Sequence, residues 1–106
     1  MTAKEFILSF PERVNPEALA DKGDTVFHFI ISGDGGGEFT GVCKDGAFSV
    51  EEGLSGEAKC VITSTDEVLM GIVKGTQNAM TAVMFGKLKI SNLAEMTKFA
   101  KPLGLM

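Results

Sequence analysis

The chain contains a single histidine, His28, among its 106 residues. That scarcity excludes histidine clusters of the kind that hold zinc, and any pair of imidazoles sharing acid and base roles. A Ser-His-Asp or Cys-His arrangement would have to use this one ring, and no serine or cysteine sits in the G-x-S-x-G context of a nucleophile elbow. His28 lies between Phe27 and Phe29 in an apolar run, the setting of a structural or pocket-wall imidazole. Cysteine is nearly as scarce. Cys43 and Cys60 occupy strand-like contexts without C-x-x-C spacing and read as two small buried hydrophobes, although sequence alone leaves a disulfide between them open.

No segment approaches the roughly 18 consecutive apolar residues of a spanning helix. The N-terminus lacks the basic flank and apolar core of a secretory signal. One cytoplasmic domain over residues 1–106 is therefore expected, with 44% hydrophobic residues to build its core. A clustered basic excess is also missing. The formal net charge is −4, which argues against a nucleic-acid partner. The cluster Gly33-Asp34-Gly35-Gly36-Gly37 has neither a following helix nor the Gly-Lys-Ser/Thr of a phosphate loop, so it reads as a hairpin turn. Glu51 and Glu52 are adjacent on a strand pattern and point to opposite faces, which prevents them from acting together on one substrate. No catalytic set, metal site or cofactor is expected.

What the sequence does have is an alternation of strand and helix patterns. Thr2, with Glu5 three residues on, begins a helix expected to reach Arg13 with Phe6, Ile7 and Phe10 as its buried stripe. A short helical turn is expected from Glu17 to Asp21. Strands are expected at Thr25–Ser32, buried on both faces, at Glu38–Lys44, and at Ala47–Glu52 after the tight turn Asp45-Gly46. A fourth strand spans Ala58–Thr63 and a fifth Lys87–Ser91. Between these two, Ser64-Thr65 caps a helix ending near Lys74 and Gly75, and Asn78 caps another through Met84. A terminal helix follows, with Leu93, Met96, Phe99, Ala100 and Leu103 at helical spacing. The pattern is α+β.

The last third also concentrates methionine and positive charge. Met70, Met80, Met84, Met96 and Met106 all fall there. An unbranched thioether fills irregular core gaps and equally suits a wall that adapts to varied apolar ligands, and spacing alone leaves both readings open. Residues 1–70 carry five basic and thirteen acidic side chains, whereas residues 71–106 carry Lys74, Lys87, Lys89, Lys98 and Lys101 against Glu95 alone. If Lys87, Lys89, Lys98 and Lys101 share a face, it is either an ordinary solvated surface or one that touches anionic lipid headgroups, at about 1 kcal/mol per well-placed lysine.

The order of elements and five local motifs together resemble the sterol carrier protein 2 domain over nearly the whole chain. The motifs are Asp34-Gly35-Gly36-Gly37-Glu38-Phe39, Lys44-Asp45-Gly46, residues 58–64, Lys74-Gly75 followed by Ala79-Met80, and, most specifically, Phe85-Gly86-Lys87-Leu88-Lys89-Ile90. The resemblance implies a five-stranded, mainly antiparallel sheet covered by helices on one face and enclosing an apolar tunnel. It implies non-catalytic binding of fatty acids, acyl-CoA esters, sterols or phospholipids. Carried onto this chain, the lining falls at Met70, Val73, Met80, Val83, Met84, Met96, Phe99 and Leu103. The chain departs from the family pattern at Phe39, where a tryptophan is usual, and at Ser91-Asn92, which replaces a glycine-containing turn. Gly104-Leu105-Met106 is not a peroxisomal address. The alternative function is an interaction module in which the same apolar surface of the terminal helices pairs with another chain, as in a homodimer. A lipid tunnel predicts a monomer that takes up an apolar probe; an interface predicts a size that depends on concentration.

Overall fold

The computed structural model describes residues 2–14, 16–19 and 23–100. Asp21, Lys101 and Leu103 therefore lie outside the described residues. Strands β1 (Thr25–Ser32), β2 (Gly37–Lys44), β3 (Ala47–Glu52), β4 (Cys60–Thr65) and β5 (Lys89–Ile90) form one sheet in the order β3-β2-β1-β4-β5. The pairs β1–β2, β2–β3 and β4–β5 are antiparallel, while β1 and β4 run parallel. The sheet is thus mixed but mainly antiparallel, and with its helices it makes an α+β fold.

The dense apolar run of β1 is buried on one face only. Thr25, Phe27, Phe29 and Ile31 are enclosed, whereas Val26, His28 and Ile30 are half-buried. The second face is partly covered by the loop after β3. His28 Nε2 lies 3.0 Å from the carbonyl oxygen of Ser55, placed to donate to it. Its cross-strand neighbour Thr40 donates from Oγ1 to the Gly53 carbonyl at 2.7 Å and accepts from the Ser55 N–H at 3.0 Å. The only histidine is therefore a strap for a loop, which accounts for its place in a strand.

The first helical pattern divides into α1 (Ala3–Leu8) and α2 (Phe10–Arg13). Thr2 and Glu5 form the expected capping box, with bonds of 2.9 and 3.1 Å. The break falls at Ser9 because Pro11 has no N–H with which to continue a single helix, and its fixed φ suits the first turn of a new one. Helix α3 (Pro16–Leu19) follows. Helix α4 (Asp66–Lys74) is capped by the Thr65 side chain, which accepts from the Val68 N–H at 3.1 Å, and ends at Gly75 with φ 82°. Its first residue also holds the β1–β2 turn, since Gly35 N–H donates to Asp66 Oδ2 at 2.8 Å. Helices α5 (Ala79–Met84) and α6 (Leu93–Ala100) complete the layer.

The interior has two parts of different character. Phe6, Phe10, Phe27, Phe29, Phe39, Phe48 and Phe99 fill the side nearer β1, β2 and β3. Most of their rings meet edge-on or tilted, at centroid distances such as 5.0 Å for Phe6–Phe10 and 5.2 Å for Phe27–Phe99, while Phe27 and Phe29 stack at 6.0 Å. Gly41 makes this packing possible. A methyl group there would stand 3.0 Å from ring atoms of both Phe29 and Phe48. Cys43 and Cys60 are buried free thiols, and burial raises the pKa of each above its ordinary value. The other part, between β4, β5 and helices α4 to α6, is aliphatic and not filled.

Candidate functional site

A cavity of about 210 Å³ occupies that second part. The sheet side of its wall is Ile62 of β4 with Leu88 and Ile90 at β5; the helices add Leu69 and Ile72, then Ala79, Met80 and Val83, then Leu93, Met96 and Thr97. Along 87–90 the exposed Lys87 and Lys89 alternate with Leu88 and Ile90, which face the cavity, although only Lys89 and Ile90 belong to β5. Residues three and four apart on α4, α5 and α6 supply the rest. Thr97 is the one polar wall residue, and its Oγ1 already donates to the Leu93 carbonyl at 2.7 Å. Among the described residues no aromatic ring lines the cavity. Met80 and Leu93, 63% and 47% exposed, stand where the wall meets solvent.

Of the lining residues expected from sequence, Met80, Val83 and Met96 are on this wall. Met70 and Val73 pack half-buried against the core, one position further round α4 than the wall residues Leu69 and Ile72, a rotation of about 100°. Met84 is 80% exposed, since the side of α5 that faces inward carries Ala79, Ala82 and Val83. Phe99 is enclosed in the aromatic half against Phe27. Ile62, Leu88 and Ile90 are wall residues outside the expected lining; for Leu88 and Ile90 the alternation with Lys87 and Lys89 is a usable sequence signal, whereas Ile62 lies in an unbroken apolar run.

Among the candidate headgroup lysines, Lys87 and Lys89 are exposed and have no ion pair among the described residues. Lys98 is engaged: its Nζ lies 3.2 Å from Glu95 Oε1. Glu95 is 5% exposed and also accepts from the Thr25 hydroxyl, with Lys59 Nζ at 3.8 Å. Burial by itself would raise the Glu95 pKa, but the Thr25 and Lys98 hydrogen bonds and the charges of Lys98 and Lys59 outweigh it and hold the carboxyl below its usual range. Asn92 caps α6 directly beside this group, accepting from the Glu95 N–H at 3.1 Å. The turn Ser91-Asn92 is therefore a helix cap, a role glycine fills less well.

A wider, shallower hollow of about 410 Å³ lies at the end of β1 and β2. Asp24, Lys44, Glu57 and Lys59 line it, and such mixed charges suit water better than hydrocarbon. Among the described residues, no group of three or more His, Cys, Asp or Glu side chains is placed to hold a metal ion, and no helix is long and apolar enough to cross a membrane.

The SCP-2 sterol transfer family matches residues 4–103, and the chain belongs to that family. Solved structures share the fold at low sequence identity. Palmitated SCP2L2 from Aedes aegypti superimposes with a TM-score of 0.72 at 20% identity, covering 97% of this chain and 95% of its own. The apo form of sterol carrier protein 2 from Yarrowia lipolytica gives a TM-score of 0.66 at 20% identity, over 95% of this chain and 86% of that one. The stereoselective inverting sec-alkylsulfatase Pisa1 from Pseudomonas sp. matches all of this chain with a TM-score of 0.77 at 17% identity, but the chain spans only 16% of that enzyme's length. No curated protein matches in sequence.

Proposed function

We propose that this protein binds a lipid by its alkyl chain and carries it without transforming it. The observation that carries this reading is the wall itself. Of the eleven described residues that line it, ten are apolar and the hydroxyl of the eleventh is taken by its own helix, so among the described residues no side chain offers a ligand a free hydrogen bond. Whatever enters must be hydrocarbon where it is buried, because an unpaired polar group there would cost several kcal/mol. Its headgroup stays outside, beyond Met80 and Leu93.

The size favours a slender occupant. About 210 Å³ is below the roughly 300–1,000 Å³ of drug-sized pockets, and suits a length of acyl chain better than a rigid sterol nucleus. Met80 and Met96 let the wall adjust to chains of different length. The palmitated state of the Aedes structure is consistent with this choice. Fully closed and empty, an apolar cavity of this volume would cost on the order of 5 kcal/mol, a large share of the roughly 5–15 kcal/mol stability of a small domain, and the opening at Met80 and Leu93 lowers that figure. Filling it offsets that cost, and among the described residues no reactive group lines the wall to act on what is held.

Native mass spectrometry of freshly purified protein, followed by denaturing spectra, tests the proposal. The expected result is a bound mass in the fatty acid, acyl-CoA or phospholipid range that is released on denaturation. A bare chain that also takes up no apolar fluorescent probe from solution would overturn it.

A further inference from the structure

The three most exposed large apolar side chains among the described residues are neighbours: Met84 at 80%, Phe85 at 73% and Met80 at 63%. Met80 and Met84 stand one helical turn apart on α5, and Phe85 is its C-cap. Leu93 extends the patch from the start of α6, and it shares the cavity wall with Met80. Single exposed apolar residues are ordinary on any surface, but a contiguous group of this kind marks a surface that meets something. Phe85 takes no part in the core; the one fully buried residue of α5 is Ala82.

The charges beside the patch identify what it meets. Lys87 follows Phe85 by two residues, at most about 7 Å along the chain, and Lys89 lies two further on. Lys74 ends α4 a few residues before α5. All three are exposed and none has an ion pair among the described residues. The one carboxylate in residues 71–100, Glu95, is buried and committed to Thr25, Lys98 and Lys59. The corner therefore presents apolar side chains flanked by lysines that have no ion pair among the described residues.

We infer that this corner docks on a lipid bilayer carrying anionic headgroups, with Met84 and Phe85 entering the boundary between headgroups and acyl chains and Lys87 and Lys89 resting at the level of the phosphates. Apolar anchors with flanking cations are the combination that holds a protein in that interface. A second copy seated on the same patch about a twofold axis would set two positively charged corners against each other, which an anionic surface does not. The docking stands on the exposed patch. Its use in loading rests on the hydrocarbon cargo proposed above: because Met80 and Leu93 belong to both patch and cavity wall, a chain would pass from bilayer to cavity without crossing water.

The test is flotation of the full chain with vesicles of phosphatidylcholine alone and of phosphatidylcholine mixed with phosphatidylserine, alongside uptake of an apolar fluorescent probe from solution. Wild-type protein is expected to float with the anionic vesicles and to be released by salt. Phe85→Ser should weaken binding at least about tenfold, since a phenylalanine would no longer be buried. Lys87→Glu combined with Lys89→Glu should weaken it by roughly fivefold or more per lysine. Both variants should take up the probe as wild type does, because neither alters the cavity wall; failed uptake by wild type would count against the cargo and leave the flotation result to judge the docking. Flotation that is equal on neutral and anionic vesicles, or indifferent to Phe85→Ser, would overturn the inference. So would a dimer, formed without vesicles, that Phe85→Ser dissociates.

Discussion

The hydroxyl of Thr25 donates a hydrogen bond to the carboxylate of Glu95, joining the first residue of β1 to the first turn of α6 across 70 positions of sequence. Lys98 and Lys59 approach the same carboxylate, and Asn92 caps the turn that carries it. Helix α6 brings Leu93, Met96 and Thr97 to the cavity. Its position is thus set by a buried polar clasp as well as by packing.

Thr25→Val keeps the shape of the side chain and removes the donor, leaving a buried carboxylate short of one partner. The expected loss is about 1–3 kcal/mol of stability. Urea denaturation of the variant and wild type measures it, and an unchanged midpoint would show that the clasp contributes nothing.

The same clasp sets a pH dependence. The Glu95 carboxyl titrates below its ordinary value of 4.5 in the folded protein, so its stabilising contribution is present above about pH 4.5 and is lost as the pH falls through the folded pKa. The stability difference between wild type and Glu95→Gln should accordingly be constant near neutrality and shrink on acidification below about 4.5. Urea midpoints of both proteins over a pH series measure it; a difference that held its size in acid would contradict the assignment.

Ala79 is the smallest residue on the cavity wall. Ala79→Leu should fill part of the empty volume with little loss of fold stability, because Leu is also a strong helix former. Uptake of an apolar probe is expected to drop by tenfold or more, on the order of the 1–3 kcal/mol that overpacking costs. Fluorescence titration reads this directly, and unaltered uptake would place the ligand elsewhere.

Gly41→Ala addresses the other half of the interior. The added methyl group meets Phe29 and Phe48 at 3.0 Å, and the rings must shift to admit it. Destabilisation of about 1–3 kcal/mol is expected, with probe uptake unchanged in the fraction that remains folded. Loss of uptake without loss of stability would mean that the two halves are coupled.

Much of the architecture was legible because local chemistry and global fold agree. Strands β1 and β3 begin and end where β-branched and aromatic runs meet turn residues, and Thr65, Gly75 and Asn78 act as the caps their residue types suggest. Boundaries shifted where one residue does two jobs. Thr65 closes β4 and also caps α4, so the strand runs Cys60–Thr65 and not Ala58–Thr63. Lys87 and Leu88 read as strand, yet their N–H groups both bond the Ala82 carbonyl, at 2.9 and 3.1 Å, and finish α5. The cavity was legible as a region but not residue by residue. Spacing shows that a helix has an apolar face; which neighbouring position points into a void depends on a rotation of about 100° that only packing fixes. That is why Leu69 and Ile72 line the wall while Met70 and Val73 do not. Glu95 looked like a lone acid in a basic segment, and nothing local signals that Thr25 is its partner.

The division of the interior into a filled aromatic half and a hollow aliphatic half has a kinetic consequence. Amide protons of the inner strands β1 and β2, backed by interlocked phenyl rings, should exchange with solvent only through global unfolding, which becomes rarer when an occupant of the cavity stabilises the fold. Those of α5, a six-residue helix with one fully buried side chain, should exchange through local opening and slow down when the cavity is occupied. The molecule would then keep two clocks, one for the life of the fold and a faster one for the exchange of its cargo.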